Sequence, residues 1–236
     1  MVEHYLLEAA LENAEALLDT VTDNEVLKNI PIVGTCIKVV KSVGDVRNRL
    51  LAGKLVQFCQ RLNEVSPEGR EKMRKKMASN PDEAERIGST LMIVLDKITA
   101  LEKADIVAYV FIAYTLDVID QADLRRFLDA IDQAFVDDLV DLLDTAESKH
   151  STPSVYMKHL ERTGLTFADS TMIAKSREDW HYGISRLGKQ LIAAYKAGSK
   201  YCTDHSSGPH NTLAPEKGGS HEWRSVKGIA SRDFPQ

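Results

Sequence analysis

A single stretch, residues 30–62, sets the strongest limit on how this chain can fold, because it is the longest apolar-periodic segment in the sequence. Its apolar residues recur every three or four positions, at Ile32, Cys36, Val39, Val40, Val43, Val46, Leu50, Leu51, Leu55, Phe58 and Leu62. This spacing predicts an amphipathic helix that buries one broad stripe. Gly34, Gly44 and Gly53 each weaken a helix by about 1 kcal/mol relative to alanine. Packing must therefore support the helix, or it divides near Gly44 or Gly53.

A basic face accompanies the apolar stripe. The residues that could contact a partner or an anionic membrane are Lys38, Lys41, Arg47, Arg49 and Lys54, against a single acid, Asp45. A core helix with a solvated basic face is the simplest interpretation. A basic amphipathic helix can also lie on an anionic membrane or bind an acidic partner. A transmembrane span is not expected, because the purely apolar part is much shorter than the roughly 20 residues that a bilayer requires.

Composition limits the class of protein. The 236 residues allow one good-sized domain or two small ones, and a hydrophobic fraction of 43% allows a sizeable core. A formal net charge of −5 argues against attraction of the whole molecule to nucleic acid. The three cysteines, Cys36, Cys59 and Cys202, imply no disulfide framework, and they favour a reducing cytoplasm.

Other helices surround the organising stretch. Residues 2–20 predict a short amphipathic helix with leucines and alanines on one side: Leu6, Leu7, Ala10, Leu11, Ala14, Leu17 and Leu18. Pro67 and Pro81 each follow a capping residue, which is typical of a helix start. Residues 101–115 are apolar on nearly all faces, so we expect this helix at the centre of a bundle. These patterns predict a helical bundle over residues 1–120.

The second half of the chain differs from the first. After two acidic amphipathic helices at 121–145, a short helix is predicted at 153–162. A β-hairpin is expected from residues 165–173 and 180–184. Ser185 can cap a closing helix that ends at Ala197. Residues 198–236 have little periodicity, which predicts a disordered tail.

Residues 121–197 resemble the back half of bacterial winged-helix domains. In that family a short helix ends in Gly-Leu, here Gly164-Leu165, and a wing leads to an element like Tyr182-Gly183-Ile184-Ser185-Arg186-Leu187-Gly188, which opens the last helix. The resemblance implies a small winged-helix-like α/β module packed on the bundle. In a DNA-reading version, helix 153–162 would enter the major groove, with Lys158, His159, Arg162, Lys175 and Arg177 near the duplex. The acidic preceding helices would repel phosphate, so we prefer a protein-contacting or structural role.

Two groups of residues have metal-ligand side chains. Residues 113–120, with the helix that follows, resemble the tellurite-resistance-type helical domain, which implies a divalent metal near Asp117, Asp120 and Asp123. The family's glycine is missing here, and a capped helix start explains these acids better. In the tail, Cys202, His205, His210 and His221 are zinc-ligand types, but their spacing fits no standard finger. We therefore predict no metal and no cofactor.

No nucleotide-binding or nucleophile-elbow motif occurs in the sequence, and catalysis is not expected. The sequence predicts a mainly α protein, in which a helical bundle precedes a small winged-helix-like α/β module. Residues 30–58 also resemble segments of uncharacterised bacterial helical proteins, some of them associated with phage-defence neighbourhoods. We expect a non-catalytic, cytoplasmic interaction or adaptor protein with a protein partner. The alternatives are a winged-helix DNA-binding regulator and a membrane-peripheral protein that uses helix 32–62; the oligomeric state stays open.

Overall fold

The computed structural model describes residues 27, 30–41, 46–145, 155–169 and 181–203. This part of the chain forms nine helices and two strands, in the order α1 Pro31–Lys41, α2 Val46–Asn63, α3 Pro67–Ser79, α4 Pro81–Lys97, α5 Leu101–Thr115, α6 Gln121–Gln133, α7 Val136–Thr145, α8 Val155–Leu160, β1 Thr166–Asp169, β2 His181–Ile184 and α9 Arg186–Thr203. A 3-10 turn, Glu161–Thr163, follows α8. The predicted mainly α fold is confirmed. The predicted helix at residues 2–20 lies outside the described residues.

The organising stretch forms two helices, α1 and α2, which pack against each other. Cys36 of α1 and Cys59 of α2 are both buried, and hydrogen bonding with Cys36, together with burial, raises the pKa of the Cys59 thiol. The alternative of one continuous helix over residues 30–62 is therefore wrong. The alternative with a division near Gly44 fits the two helices, although residues 42–45 lie outside the described part. Five residues of the predicted apolar stripe are buried: Ile32, Cys36, Leu55, Phe58 and Leu62. Val39, Val40 and Leu51 are partly buried, and Leu50 is 43% exposed, so the prediction is wrong for Leu50. The side chains of Val43 and Val46 lie outside the described part.

Helix α5 is the centre of the described bundle, as its apolar composition predicts. Ala104 and every residue from Ile106 to Thr115 except the half-buried Tyr109 are buried. The helix contacts α2, α3, α6 and α9. The rings of Phe58 in α2 and Phe111 in α5 lie 5.7 Å apart. A helix that is apolar on all sides is stable here because neighbouring helices cover most of its faces.

Three helix starts have the caps that the sequence indicates. Ser66 Oγ accepts a hydrogen bond from the Gly69 amide (3.1 Å), and Asn80 Oδ1 accepts one from the Glu83 amide (3.2 Å). Asp120 Oδ1 accepts one from the Asp123 amide (2.8 Å). Each cap satisfies an amide that the first helical turn leaves without a partner.

The two strands form the predicted antiparallel pair, with Thr166 opposite Ile184 and Asp169 opposite His181. Gly164 precedes β1 with a left-handed backbone (φ 76°), which glycine adopts without strain. Ser185 Oγ donates to the Gly164 carbonyl (2.6 Å) and accepts from the Gly188 amide (3.0 Å), so it caps α9 as expected. The loop between the strands, residues 170–180, lies outside the described part of the chain.

The closing helix α9 continues to Thr203 and passes the predicted end at Ala197. The prediction of a disordered tail is therefore wrong for residues 198–203, and residues 204–236 lie outside the described part. The physical reason is packing, since Gly198 and Cys202 are buried against the bundle. None of the helices in the ranges given above has both the length and the apolar character that a bilayer crossing requires.

Candidate functional site

Helix α4 has two apolar faces, and only one of them is covered by the core. The helix begins at Pro81, and its start is held by Asn80, which also donates to the Glu83 carboxylate (3.0 Å). Tyr114 of α5 donates a hydrogen bond to the same carboxylate (2.6 Å) and links α4 to the central helix. The core face consists of Ala84, Ile87, Leu91, Val94 and Leu95.

The second face of α4 forms the floor of an open groove of about 840 Å³. Helices α1 and α3 supply its other walls. The residues that define it are Ile32 and Thr35 from α1, Met77 and Ala78 from α3, and Gly88, Met92 and Ile93 from α4. Pockets of this size and apolar character are typical of binding sites.

Two residues of α4 shape the groove: Gly88 leaves space beside α1, and Ile93 adds exposed apolar surface. At Gly88, an added Cβ would lie 3.9 Å from the Cβ of Ile32, so the missing side chain leaves space beside α1. Ile93 is 55% exposed, although isoleucine is among the residues most often buried. An exposed isoleucine next to a half-buried methionine, Met92, is a surface that loses contact with water when something covers it.

The described lining of the groove has few groups that can transfer a proton. Its described lining contains one carboxylate, Glu85, and the hydroxyl groups of Thr35 and Ser89, with no histidine, cysteine or lysine. General acid–base catalysis needs titratable groups within hydrogen-bond reach of each other and of a substrate. The groove can therefore bind apolar groups, and its described residues provide no acid–base pair.

A second, smaller cavity of about 260 Å³ lies beside an ion-pair cluster. Arg61 of α2 binds Asp105 of α5 through two hydrogen bonds, Nε to Oδ1 (2.7 Å) and Nη2 to Oδ2 (3.2 Å). Glu64 accepts from Arg61 Nη1 (3.0 Å), and Gln57 donates to Asp105 (2.9 Å). The hydrogen bond to Asp105 is the main reason that the pKa of Arg61 lies above its ordinary value. Every charge in this cluster has a partner, which indicates a link between α2 and α5.

Two tyrosines line this cavity, and the thiol of Cys202 lies nearby, where it donates to the Arg61 carbonyl (3.4 Å); all three are poor nucleophiles. Burial raises the pKa of Tyr109, and it does the same for Tyr195, whose ring meets that of Tyr109 edge-on at 5.4 Å. Burial also raises the pKa of the Cys202 thiol to about 12, with further support from the charge of Glu64. Because the thiolate is the reactive form of cysteine, this thiol is not activated.

Of the five residues that the sequence places on one basic face, the structure describes the side chains of Lys38 and Lys54, and these two differ in exposure. Lys38 is exposed, whereas the side chains of Lys41, Arg47 and Arg49 lie outside the described part. Lys54 is only 3% exposed, so its predicted position on the exposed surface is wrong. Its Nζ donates to the carbonyl oxygens of Asp96 (2.9 Å) and Ile98 (2.8 Å). These carbonyls belong to the C-terminal end of α4, where a cation is favoured by the helix dipole.

The sequence contains a signal that could have identified Lys54 as buried. It lies three residues after Leu51 and four before Phe58, so it belongs to the apolar stripe and not to the opposite face. Lys103 is a second buried lysine, and it donates to the Asp132 carbonyl at the end of α6 (3.1 Å). Burial lowers the pKa of Lys103, while the charge of Asp132 opposes that change.

Of the predicted nucleic-acid contacts, Lys158 and Arg162 are exposed, and Lys175 and Arg177 lie outside the described residues. His159 Nδ1 lies 3.1 Å from Oδ2 of the buried Asp138 in α7, so its inner ring nitrogen faces the protein.

Two of the three acids at the possible metal position bind other groups of the protein. Asp120 caps α6, and Asp117 forms an ion pair with Lys76. Among the described residues, no three histidine, cysteine, aspartate or glutamate side chains come together as a metal site would require. Three of the four zinc-ligand types, His205, His210 and His221, lie outside the described part of the chain.

Comparison of the chain with protein-family models, with curated proteins and with solved structures finds no match. The groove and the charges around it are therefore the features that indicate a function.

Proposed function

We propose that this chain is a non-catalytic interaction protein whose groove along α4 receives the apolar face of a helix from a protein partner. The observation that carries the proposal is the open apolar groove with the exposed Ile93 at its edge. The three buried, free cysteines Cys36, Cys59 and Cys202 fit a reducing compartment such as the cytoplasm.

The dimensions of the groove favour a helix as the ligand. Its floor extends from Pro81 to Ile93 of one straight helix, which corresponds to roughly 18 Å at 1.5 Å per residue. A ligand helix of three to four turns has the same length. Such a helix places anchors at positions i, i+3, i+4 and i+7 along one line, which is how amphipathic helices bind hydrophobic grooves.

The proposal predicts that a partner loses affinity when the groove becomes charged. A partner identified by chemical crosslinking in cells would be purified, and its affinity measured for the wild type, Ile93→Glu and Val155→Glu. Val155 is a matched control, because it is also an exposed aliphatic residue but lies at the start of α8. We expect at least a tenfold loss for Ile93→Glu only. Equal affinities of all three proteins, or crosslinks that avoid α1, α3 and α4, would contradict the proposal.

For residues 121–197 we propose a winged-helix-like module with a structural or protein-contacting role. The support is the order of its elements: helices α6, α7 and α8, then the antiparallel strands β1 and β2, then α9. The exposed acids Asp137 and Asp141 on α7 disfavour nucleic acid, since they would face phosphates near α8.

Among the described residues of this module, the support for DNA binding is the exposed side chains of Lys158 and Arg162. Retention of the protein on random duplex DNA at low salt tests it. Retention that declines with salt and is lost in Lys158→Ala/Arg162→Ala would favour a regulator. We expect no retention.

A further inference from the structure

We infer that residues 2–20 of the same chain occupy the groove when no partner is bound. The inference rests on the proposed function, because it describes how that binding site is regulated. Residues 2–20 lie outside the described part of the structure, so the argument uses their sequence, the described end of the chain to which they are joined, and the groove itself.

The sequence of this segment has the pattern that the groove requires. Leu7, Leu11, Ala14 and Leu18 follow one another at intervals of four, three and four residues, and Leu6, Ala10 and Leu17 lie beside them. In a helix these side chains form one apolar stripe. A helix of residues 2–20 is roughly 28 Å long, which exceeds the length of the groove floor. Most of the stability of an amphipathic helix in a protein comes from packing of its apolar face, so this segment gains stability by covering an apolar surface.

The segment is joined to the described chain close to the groove. Leu27 is fully buried, and its carbonyl accepts a hydrogen bond from the Ile30 amide (2.9 Å). Ile32, which lines the groove, lies two residues after Ile30 and five residues after Leu27. Residues 21–26 can span up to about 20 Å when extended, which is close to the length of the groove floor.

Two lysines close to the groove edges have the charge opposite to that of the segment, whereas Glu85 in the groove lining has the same charge as the segment. Residues 1–20 contain no lysine or arginine, and their acids are Glu3, Glu8, Glu12, Glu15 and Asp19. Lys38 is exposed one helical turn beyond Thr35 at one wall, and Lys75 is exposed one turn before Ala78 at the other. Glu85 is the one acid of the described groove lining. Opposite charges at a rim favour one orientation of a bound helix and disfavour acidic surfaces without an apolar stripe.

Covalent attachment makes the segment a strong competitor. A tethered ligand has an effective concentration of the order of millimolar for a short flexible linker. A partner helix must therefore bind more tightly than the segment, or another event must release the segment first. The segment thus limits binding to helices of sufficient affinity.

A paramagnetic label next to the groove tests the inference in the full chain. Arg86 of α4 is exposed and does not line the groove, so a nitroxide on Arg86→Cys leaves the groove open. The three native cysteines are buried, which directs the label to the new thiol. We expect several-fold weaker NMR methyl signals for the leucines of residues 6–18 than after reduction of the label. A label on Lys158→Cys, an exposed residue of α8, which packs on α7 and the two strands, is the positional control.

Two variants of the segment complete the test. Leu11→Asp places a charge in the apolar stripe and should restore the weakened methyl signals. Asn13→Asp introduces the same charge off the stripe and should leave them weak. Equal signals with both labels would overturn the inference, and so would weakening that occurs only between differently labelled copies, because a second chain would then be the occupant. Either result refutes only the role of residues 2–20 if Ile93→Glu still weakens partner binding. The groove then remains the partner site.

Discussion

Gly198 of α9 lies directly against the backbone of Tyr109 in α5. A Cβ added to Gly198 would overlap the Tyr109 carbonyl oxygen and would lie 2.7 Å from the carbonyl carbon. The two helices therefore approach each other as closely as their backbones allow. This crossing fixes the last helix of the chain on the central helix of the bundle.

We expect Gly198→Ala to lower the free energy of unfolding. Alanine raises helix propensity by about 1 kcal/mol, but overpacking at the crossing costs about 1–3 kcal/mol because a rigid backbone cannot move aside. Chemical denaturation would measure the difference. Gly53→Ala is the matched control, since its Cβ would lie 3.8 Å from the nearest side-chain atom, Cδ2 of Leu101, and should stabilise the protein. Stabilisation by both variants would show that the crossing is not tight.

Lys54→Met should destabilise the protein, although it replaces a charge with an apolar side chain of similar length. The carbonyls of Asp96 and Ile98 lose the donor that binds them, and an unsatisfied buried group costs about 1–3 kcal/mol. Lys38→Met removes an exposed lysine and should change stability by less than about 0.5 kcal/mol. Equal thermal unfolding of the two variants would contradict the structural role of Lys54.

The membrane-peripheral alternative is weaker for the same reason. With Lys54 buried, its described support is reduced to the exposed Lys38. We expect equal co-sedimentation of the full chain with vesicles of neutral phosphatidylcholine and with vesicles that also contain anionic phosphatidylserine. Salt-sensitive enrichment on the anionic vesicles, lost in Lys38→Glu, would support a membrane role instead.

Local signals in the sequence were sufficient for most helices and for the hairpin. Capping residues such as Ser66 and Asp120 marked helix starts, and Gly164 marked the end of a helical segment. The closing helix was predicted to end before Gly198, because glycine often ends a helix. In the structure Gly198 instead permits a close crossing with α5, which is distant in sequence. No local pattern contains that information.

The groove was not predictable from the sequence for a similar reason. Its walls come from α1, α3 and α4, and their relative positions depend on the packing of α4 against α1, α2, α3 and α6. The sequence does show that Met92 and Ile93 lie beside the core stripe of α4, but periodicity alone does not reveal which apolar residues a neighbouring helix covers. For Lys54 the reverse is true. Its spacing indicates the buried stripe, but its charge led to the prediction that it is exposed.

Stability should fall as the pH rises from 9.0 towards 12, in part because of Cys202. Burial raises the pKa of its thiol from 9.0 to about 12. In that interval the unfolded chain has lost the thiol proton while the folded protein retains it, so the unfolded state gains relative stability. Raised pKa values of Tyr109 and Tyr195 act in the same direction, whereas the lowered pKa of Lys103 opposes them. Urea midpoints across this range should decline less steeply in Cys202→Ala, and an unchanged slope would contradict the assignment.

The pair of Arg61 and Asp105 should contribute more to stability than a surface pair of the same geometry. Arg61 Nε lies 2.7 Å from Asp105 Oδ1, and the same distance separates Arg74 Nη2 from Glu71 Oε1 in α3. The first pair joins two helices and is only 28% and 20% exposed, whereas the second lies within one helix and is 38% and 37% exposed. Solvent screening and side-chain entropy weaken exposed pairs.

Double-mutant cycles with alanine at both positions of each pair would measure the two coupling energies. We expect a coupling of roughly 1 kcal/mol for Arg61 and Asp105, since residues that share a partly buried hydrogen-bond network are not additive. The coupling of Arg74 and Glu71 should be smaller. Equal coupling in the two cycles would mean that the link between α2 and α5 depends on apolar contacts such as Phe58 with Phe111 and not on this ion pair.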